Sequence, residues 1–213
     1  MTAAIELHTP DGETLEAETV DPAGGLRAGA VLCHPHPQYG GTMRSIVISA
    51  LFDALPRAGV RCLRFNFRGV ERSSGAYDDG RAERHDIVAG IDTLTAGLPA
   101  GIPVVLIGWS FGADVALCVP DPRLAAWMAI APPLRLATNL DAVARDPRPK
   151  LLALAEHDEF RDPASVREAI DGWVNTDVEV IAGATHYFVG RTDRLADLAC
   201  RYAGEIAATA TPS

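Results

Sequence analysis

The chain has 213 residues, of which 48% are hydrophobic and 22% charged, and its formal net charge is -9. These values are typical of one globular domain, 1–213, with enough chain to bury a substantial core. Only residues 209–213 are expected to form a disordered tail. The negative charge argues against nucleic acid and anionic membranes as partners, because both are bound by clustered Lys and Arg side chains.

The N-terminal segment and the cysteines indicate a cytoplasmic protein. Residues 1–13 contain early acids and no apolar core, so no secretory signal is expected. No apolar run reaches the roughly 18 residues needed to span a bilayer. The cysteines lie far apart, without the Cys-x-x-Cys spacing of zinc sites, and are expected to be reduced core thiols; they are Cys33, Cys62, Cys118 and Cys200.

Short apolar runs alternate with helical patterns from residue 14 onwards. Residues 14–19 alternate with the two-residue period of a half-exposed strand. Residues 103–108 are apolar throughout, as in a strand that is covered on both faces. Further apolar runs predict strands at 30–34, 61–67, 124–131, 150–155 and 177–183.

Helix signals lie between the apolar runs. Pro56 is expected to shorten the first predicted helix, because proline removes a helical hydrogen bond. Asp162 followed by Pro163 is an N-cap signal. The C-terminal pattern is amphipathic, with one apolar face formed by Leu195, Leu198, Ala199, Tyr202 and Ile206. Helices are therefore expected at 42–58, 83–97 and 162–173 and at the C-terminus.

This order of elements predicts an α/β fold, with a mostly parallel sheet of seven or eight strands and helices on both faces. In such sheets, ligands bind beyond the carboxyl ends of the strands. The side chains that directly follow each apolar run are therefore the functional candidates. The sequence contains neither Gly-x-Gly-x-x-Gly nor Gly-x-x-x-x-Gly-Lys, so no nucleotide and no other cofactor is expected.

The segment after residues 103–108 reads Gly-Trp-Ser-Phe-Gly and is followed by a helical run. A Gly-x-Ser-x-Gly pattern between a buried strand and a helix is typical of a nucleophile elbow, here with Ser110 as the nucleophile. Glycines are needed there because the backbone is strained and neighbouring elements approach closely. The alternative is an ordinary strand–helix turn with a capping serine.

A serine nucleophile needs a general base, and the base needs an orienting acid. Asp158 follows the run at 150–155, and His186 follows the run at 177–183. Both therefore stand at strand ends downstream of Ser110. A turn-capping aspartate and a surface histidine are the structural alternatives, but the three residues together predict a Ser-His-Asp triad.

The stretches GWSFGA, AEHDEF and GATHYFVGR carry Ser110, Asp158 and His186 in the chain order that α/β-hydrolases use. With the loops HPHPQYGGTM and FNFRGVERSSG, they resemble the α/β-hydrolase superfamily. The resemblance is to its small, cap-poor bacterial members, which are related to dienelactone hydrolase and prolyl-oligopeptidase-like esterases. It covers about residues 5–205 and implies the sheet order and the triad.

The segment around the acid departs from the family's pattern. Ala155 stands where the turn before the acid often carries Gly. Glu156 and Glu159 lie beside Asp158, so the choice of acid stays open among the three.

The loop 34–41 follows the strand that, in this fold, supplies half of the oxyanion hole. One backbone N–H is expected from Phe111, directly after the nucleophile. The prolines of the loop have no N–H to donate, which leaves His36, Gln38 and Tyr39 as candidates for the second donor. Many relatives carry His-Gly-x here with the donor at x, and this favours His36.

The resemblance also bears on the substrate. Most relatives insert a cap after the sixth strand, whereas only about 17 residues, 132–148, separate the two predicted strands here. A shallow, open pocket for small or flexible acyl substrates is expected, rather than one for long lipids. Arg68 is a candidate ligand for a substrate carboxylate, unless it pairs with Asp86 or Glu83. The other candidate substrate-binding residues are Trp109, Tyr39, Gln38, Phe160 and Tyr187.

The sequence thus predicts a carboxylesterase-like serine hydrolase that cleaves a small ester or related acyl compound through an acyl-enzyme. One alternative is a non-catalytic binding or scaffold protein with the same fold. Another is hydrolysis of a thioester, peptide or C–C bond by the same residues. The two histidines at 34 and 36 could instead begin a metal site, but no His-Glu-x-x-His motif occurs and no metal is expected. The physiological substrate and the oligomeric state stay open.

Overall fold

The computed structural model describes residues 1–136 and 140–210. Eight strands form one sheet: β1 (Thr2–His8), β2 (Thr14–Val20), β3 (Ala28–Cys33), β4 (Val60–Phe65), β5 (Val104–Trp109), β6 (Leu124–Ile130), β7 (Lys150–His157) and β8 (Thr176–Thr185). Their order across the sheet is β1-β2-β4-β3-β5-β6-β7-β8. The pairs β1–β2 and β2–β4 are antiparallel and the other neighbours are parallel, which confirms the predicted mostly parallel sheet.

Helices cover both faces of the sheet. They are α1 (Ile46–Ala54), α2 (Glu83–Ala96), α3 (Phe111–Leu117), α4 (Asp141–Arg145), α5 (Pro163–Ala169) and α6 (Thr192–Thr209). The side chains of α1 and α6 pack into the core on one face, and those of α2, α3 and α5 pack into the core on the other. The apolar face predicted for the C-terminal helix is buried, and the hydroxyl of Tyr202 donates to the carbonyl of Trp127 at 3.1 Å.

Strand β1 is the strand that sequence patterning missed. It pairs with β2 along its whole length, but Leu7 is its single buried side chain. An edge strand that is exposed on most of both faces has no apolar periodicity to reveal it. Its pairing depends on backbone hydrogen bonds to β2, which leave no trace in the amino-acid pattern.

Two helices end earlier than predicted. The first predicted helix becomes α1 followed by a 3-10 turn at Leu55–Ala58, because Pro56 cannot continue the helical hydrogen bonding. The helix expected to reach Trp173 ends at Ala169, and Gly172 follows in a left-handed conformation that closes the turn. Asp162 caps α5 as predicted, accepting from two backbone N–H groups. Of the tail expected at 209–213, Thr209 belongs to α6 and residues 211–213 lie outside the described residues.

Candidate active site

Ser110 forms the sharp turn between β5 and α3, with φ 55° and ψ -117°. This backbone conformation is strained for a residue that has a side chain. The flanking glycines make the turn possible. A Cβ on Gly108 would collide with the backbone of Gly112, and a Cβ on Gly112 would collide with the carbonyl of Cys33 at the end of β3. The turn therefore has the geometry of a nucleophile elbow.

Three side chains form a continuous hydrogen-bonded chain at the carboxyl ends of β5, β7 and β8. Oγ of Ser110 lies 2.8 Å from Nε2 of His186. Nδ1 of the same ring lies 2.9 Å from Oδ2 of Asp158 and 3.1 Å from its Oδ1. An ionised carboxylate only accepts hydrogen bonds, so Nδ1 carries the proton and Nε2 accepts from the serine hydroxyl. The His186 and Asp158 side chains are 5% and 4% exposed, so little water reaches the pair.

The two glutamates beside Asp158 bind backbone groups instead of the imidazole. Glu156 accepts from the N–H of Gly183 at 2.7 Å, and Glu159 accepts from the N–H of His186 at 3.0 Å. Asp158 is the acid whose carboxylate contacts the ring. The structure thus distinguishes Asp158, which contacts the imidazole, from the two glutamates that the sequence leaves as alternative acids.

The loop 34–41 is folded so that two of its three candidate donors are already engaged. The N–H of Gln38 donates to Nδ1 of the His36 ring at 3.3 Å, and the N–H of Tyr39 donates to the His36 carbonyl at 3.1 Å. Within the described chain, the backbone N–H groups of His36 and Phe111 donate no hydrogen bond. These two groups are therefore available to an oxygen atom of a bound molecule.

His34 connects this loop to the neighbouring strand end. Its ring is completely buried, Nδ1–H donates to the carbonyl of Pro35 at 2.7 Å, and Nε2 accepts from the N–H of Phe67 at 3.0 Å. Burial lowers the pKa of His34 to about 4, because the charged imidazole would lose its hydration. The ring is therefore neutral at pH 7, with its tautomer set by these two bonds.

A cleft of about 760 Å³ opens beside Ser110. Four of the predicted substrate-binding residues line it, namely Trp109, Tyr39, Phe160 and Tyr187. The last three are exposed by 86%, 45% and 50%, so the rim is apolar and open to solvent. Between β6 and β7, the described residues contribute only a short loop and the five-residue helix α4 to this side, and no large cap.

Two predicted substrate-binding residues do not line the cleft. Gln38 is exposed outside it. Arg68 is buried and binds two carboxylates, Asp86 at 2.6 Å and Asp11 at 2.8 Å. The structure supports the alternative in which Arg68 pairs with Asp86, because these two acids already satisfy its charge. Asp86 had been considered as a partner, whereas Asp11 lies in a distant segment that no local pattern connects to Arg68.

The sequence places Asp114 on the helix after Ser110 but assigns it no role; it lies one turn of α3 after the serine. Its buried carboxylate accepts the N–H groups of Leu134, Arg135 and Leu136 at 2.8–3.0 Å. Burial raises the pKa of Asp114, and the three N–H groups oppose that shift. The sequence signal for this residue is a single acid in the apolar run after the elbow. Its hydrogen-bond partners lie about 20 residues further along the chain, so the sequence does not reveal them.

The described residues contain neither a metal-binding cluster nor a helix that could cross a membrane. Over 1–136 and 140–210, no group of three or more His, Cys, Asp or Glu side chains is arranged to hold a metal ion. None of the described helices has the length and apolar character needed to cross a membrane.

The fold agrees with comparisons to known proteins. An alpha-beta serine hydrolase homologue from Coxiella burnetii is 31% identical, with a TM-score of 0.81 over 94% of this chain and 96% of that one. The chain belongs to the α/β serine hydrolases and is a hydrolase by family. A serine hydrolase without a lid from Xanthomonas campestris is 28% identical, with a TM-score of 0.84 over 99% of this chain and 97% of that one.

One similar sequence comes from Rickettsia prowazekii. This uncharacterized protein is 30% identical over 174 residues, which cover 77% of this chain and 73% of the relative. No protein-family model matches the chain.

Proposed function

We propose that the protein is a carboxylesterase-like serine hydrolase that cleaves a small ester or related acyl compound through an acyl-enzyme. The observation that carries the proposal is the hydrogen-bonded chain from Ser110 through His186 to Asp158, with donor–acceptor distances of 2.8 and 2.9 Å. Nucleophile and base are within proton-transfer reach, and the base is held by an acid.

The reaction divides into two half-reactions. Nε2 of His186 takes the proton of Ser110 as Oγ attacks the substrate carbonyl, and the imidazolium then protonates the leaving alcohol. Asp158 holds the ring by Nδ1–H and stabilises its positive charge. A water molecule, deprotonated by the same histidine, attacks the acyl-enzyme, and the imidazolium returns the proton to Oγ of Ser110 as the acid product leaves. No step needs a cofactor or a metal ion.

The oxyanion that forms in each half-reaction is assigned to the free N–H groups of Phe111 and His36. Two donors that are already oriented stabilise the developing charge without reorganisation. This assignment is supported by the loop's own hydrogen bonds, which occupy the N–H groups of Gln38 and Tyr39. The His36 side chain has a separate role, because its ring accepts a bond that shapes the loop.

Small or flexible substrates fit the open cleft better than long lipids. Its lining is mostly apolar, with aromatic side chains near the imidazole: the Phe160 ring lies 4.5 Å from the His186 ring, centroid to centroid. Without a large cap over it, the cleft offers little enclosed surface to a long acyl chain.

Labelling by a fluorophosphonate probe tests the proposal directly, because the probe reacts with activated serines. Wild-type protein should be labelled, Ser110→Ala should not, and Ser165→Ala, which removes a hydroxyl outside the cleft, should be labelled like wild type. Turnover of p-nitrophenyl butyrate should follow the same pattern: wild type and Ser165→Ala should hydrolyse the ester, and Ser110→Ala should not. A folded wild-type protein that neither reacts nor turns over any ester, thioester or peptide would instead favour the non-catalytic binding protein.

A further inference from the structure

Arg135 is a cation on the wall of the cleft, and no carboxylate among the described residues pairs with it. It lies on the loop after β6 and borders the same cleft as Ser110. Its side chain makes one hydrogen bond, from Nη2 to the carbonyl oxygen of Phe160 at 3.1 Å. Within the described residues no acid pairs with it, and no other Lys or Arg lines this cleft.

Two acids on this side of the cleft, Asp114 and Asp158, are already engaged in other hydrogen bonds. The carboxylate of Asp114 is taken by three backbone N–H groups, including that of Arg135 itself. The carboxylate of Asp158 is held by His186 and by the N–H groups of Phe160 and Arg161. The guanidinium therefore makes no ion pair with either of these acids, in the cleft of a protein whose net charge is -9.

The backbone of Arg135 is held in place rather than free at the surface. Asp114 binds three successive N–H groups of the loop, and Asp114 belongs to the same helix whose first turn follows Ser110. Leu134, directly before the arginine, has a left-handed φ of 54°, a strained conformation that persists only where surrounding contacts impose it. The nucleophile and the arginine are thus fixed to one element.

We propose that Arg135 is a specificity-determining residue that binds a carboxylate carried by the ester substrate, remote from the scissile bond. The inference rests on the proposed function. Guanidinium groups bind carboxylates through charge-assisted hydrogen bonds. These bonds offset much of the free energy that is needed to remove the two charged groups from water. A single cation balances a carboxylate monoanion, whereas a phosphate dianion would add an unbalanced charge. The apolar wall between Arg135 and Ser110 suits the hydrocarbon part of such a molecule.

Matched esters test this directly. The mono-p-nitrophenyl ester of adipic acid differs from p-nitrophenyl pentanoate by a terminal carboxylate in place of hydrogen, which places the charge on the acyl side. The pair p-carboxyphenyl butyrate and phenyl butyrate places it on the alcohol side. Values of kcat and KM are measured for both pairs in wild type, Arg135→Gln, Arg135→Lys and Arg167→Gln.

In at least one pair, Arg135→Gln should lower kcat/KM for the carboxylated ester about tenfold, the usual size of one charge-assisted contact near solvent. The change should fall mainly on KM, and the uncharged ester should change by less than about twofold. Arg135→Lys should retain part of the preference for the carboxylated ester, because lysine keeps the positive charge but cannot donate two parallel hydrogen bonds to a carboxylate. Arg167→Gln, which removes an exposed charge on α5 outside the cleft, should leave both esters unaffected.

Two results would overturn the inference. If Arg135→Gln changes charged and uncharged esters equally, or changes neither, Arg135 does not recognise a carboxylate, although turnover would still support the proposed hydrolase. Turnover of none of the four esters by wild type, without fluorophosphonate labelling, would contradict the proposed function itself.

Discussion

The backbone N–H of Phe67 donates to Nε2 of His34 over 3.0 Å, although the two residues follow different strands. The opposite nitrogen of the ring donates to the carbonyl of Pro35, so one buried imidazole joins the ends of β3 and β4. It does this only in its neutral form, since Nε2 must accept a hydrogen bond. The geometry of the 34–41 loop is therefore linked to the protonation state of His34.

This link predicts a pH dependence of stability. Burial places the pKa of folded His34 at about 4, below the ordinary value of about 6.5 for unfolded histidine. Between these two pH values the unfolded chain binds the proton more readily, so the free energy of unfolding should decrease as the pH falls from about 6.5 to about 4. Urea unfolding at a series of pH values measures this decrease.

The matched variant for this prediction is His34→Gln, whose amide can replace one donor and one acceptor but does not titrate. The difference in unfolding free energy between wild type and the variant should shrink steadily over that window as the pH falls. A difference that is constant with pH would contradict the assignment of His34 as a buried neutral base.

Asp158 should be the one acid of its segment that is essential for turnover. In Asp158→Asn the Nδ1–H loses its charged acceptor and the imidazole favours the wrong tautomer, so kcat should fall by about 10⁴-fold. Glu156→Gln and Glu159→Gln are the controls. Each keeps a carbonyl oxygen that can accept the same backbone N–H, and kcat should change by less than about tenfold. Comparable losses in all three variants would show that the segment acts through its fold and not through Asp158.

Gly41 should be required for the shape of the oxyanion loop. A Cβ at this position would collide with the carbonyl of Pro35, which also accepts from the His34 ring. Gly41→Ala should therefore displace the His36 N–H and lower kcat about a hundredfold, as expected for one lost oxyanion donor. Gly24→Ala, where a Cβ meets no atom within 4 Å, should keep wild-type turnover. Full activity of Gly41→Ala would remove His36 as the proposed second donor.

Arg68 should contribute to stability and not to substrate binding. Arg68→Gln leaves the buried Asp86 carboxylate without its cation, which should reduce the free energy of unfolding by about 3–5 kcal/mol. Arg72→Gln removes an arginine of which 76% of the side chain is exposed and should reduce it by less than about 1 kcal/mol. Chemical denaturation measures both. A raised KM for carboxylated esters in folded Arg68→Gln, with unchanged stability, would restore the substrate-binding role that the structure argues against.

Most of the fold was predictable because seven of the eight strands carry an apolar pattern in the sequence. The six residues of β5 are all buried, and the apolar run predicts that strand directly. Strand β1 pairs through its backbone and buries one side chain, so no pattern predicts it. Ser110, Asp158 and His186 were identifiable because parallel strands end at one edge of the sheet, where residues distant in sequence meet.

The sequence by itself determined the succession of strands from β2 to β8, the elbow around Ser110 and the short span between β6 and β7, which leaves no room for a large cap. Tertiary structure decided which acid faces the imidazole, which loop N–H stays free, that Arg68 pairs with Asp11, and that Arg135 borders the cleft. The physical reason is one of range. Apolar periodicity is a local property of the chain, whereas hydrogen bonds and ion pairs depend on how distant segments approach within about 3 Å.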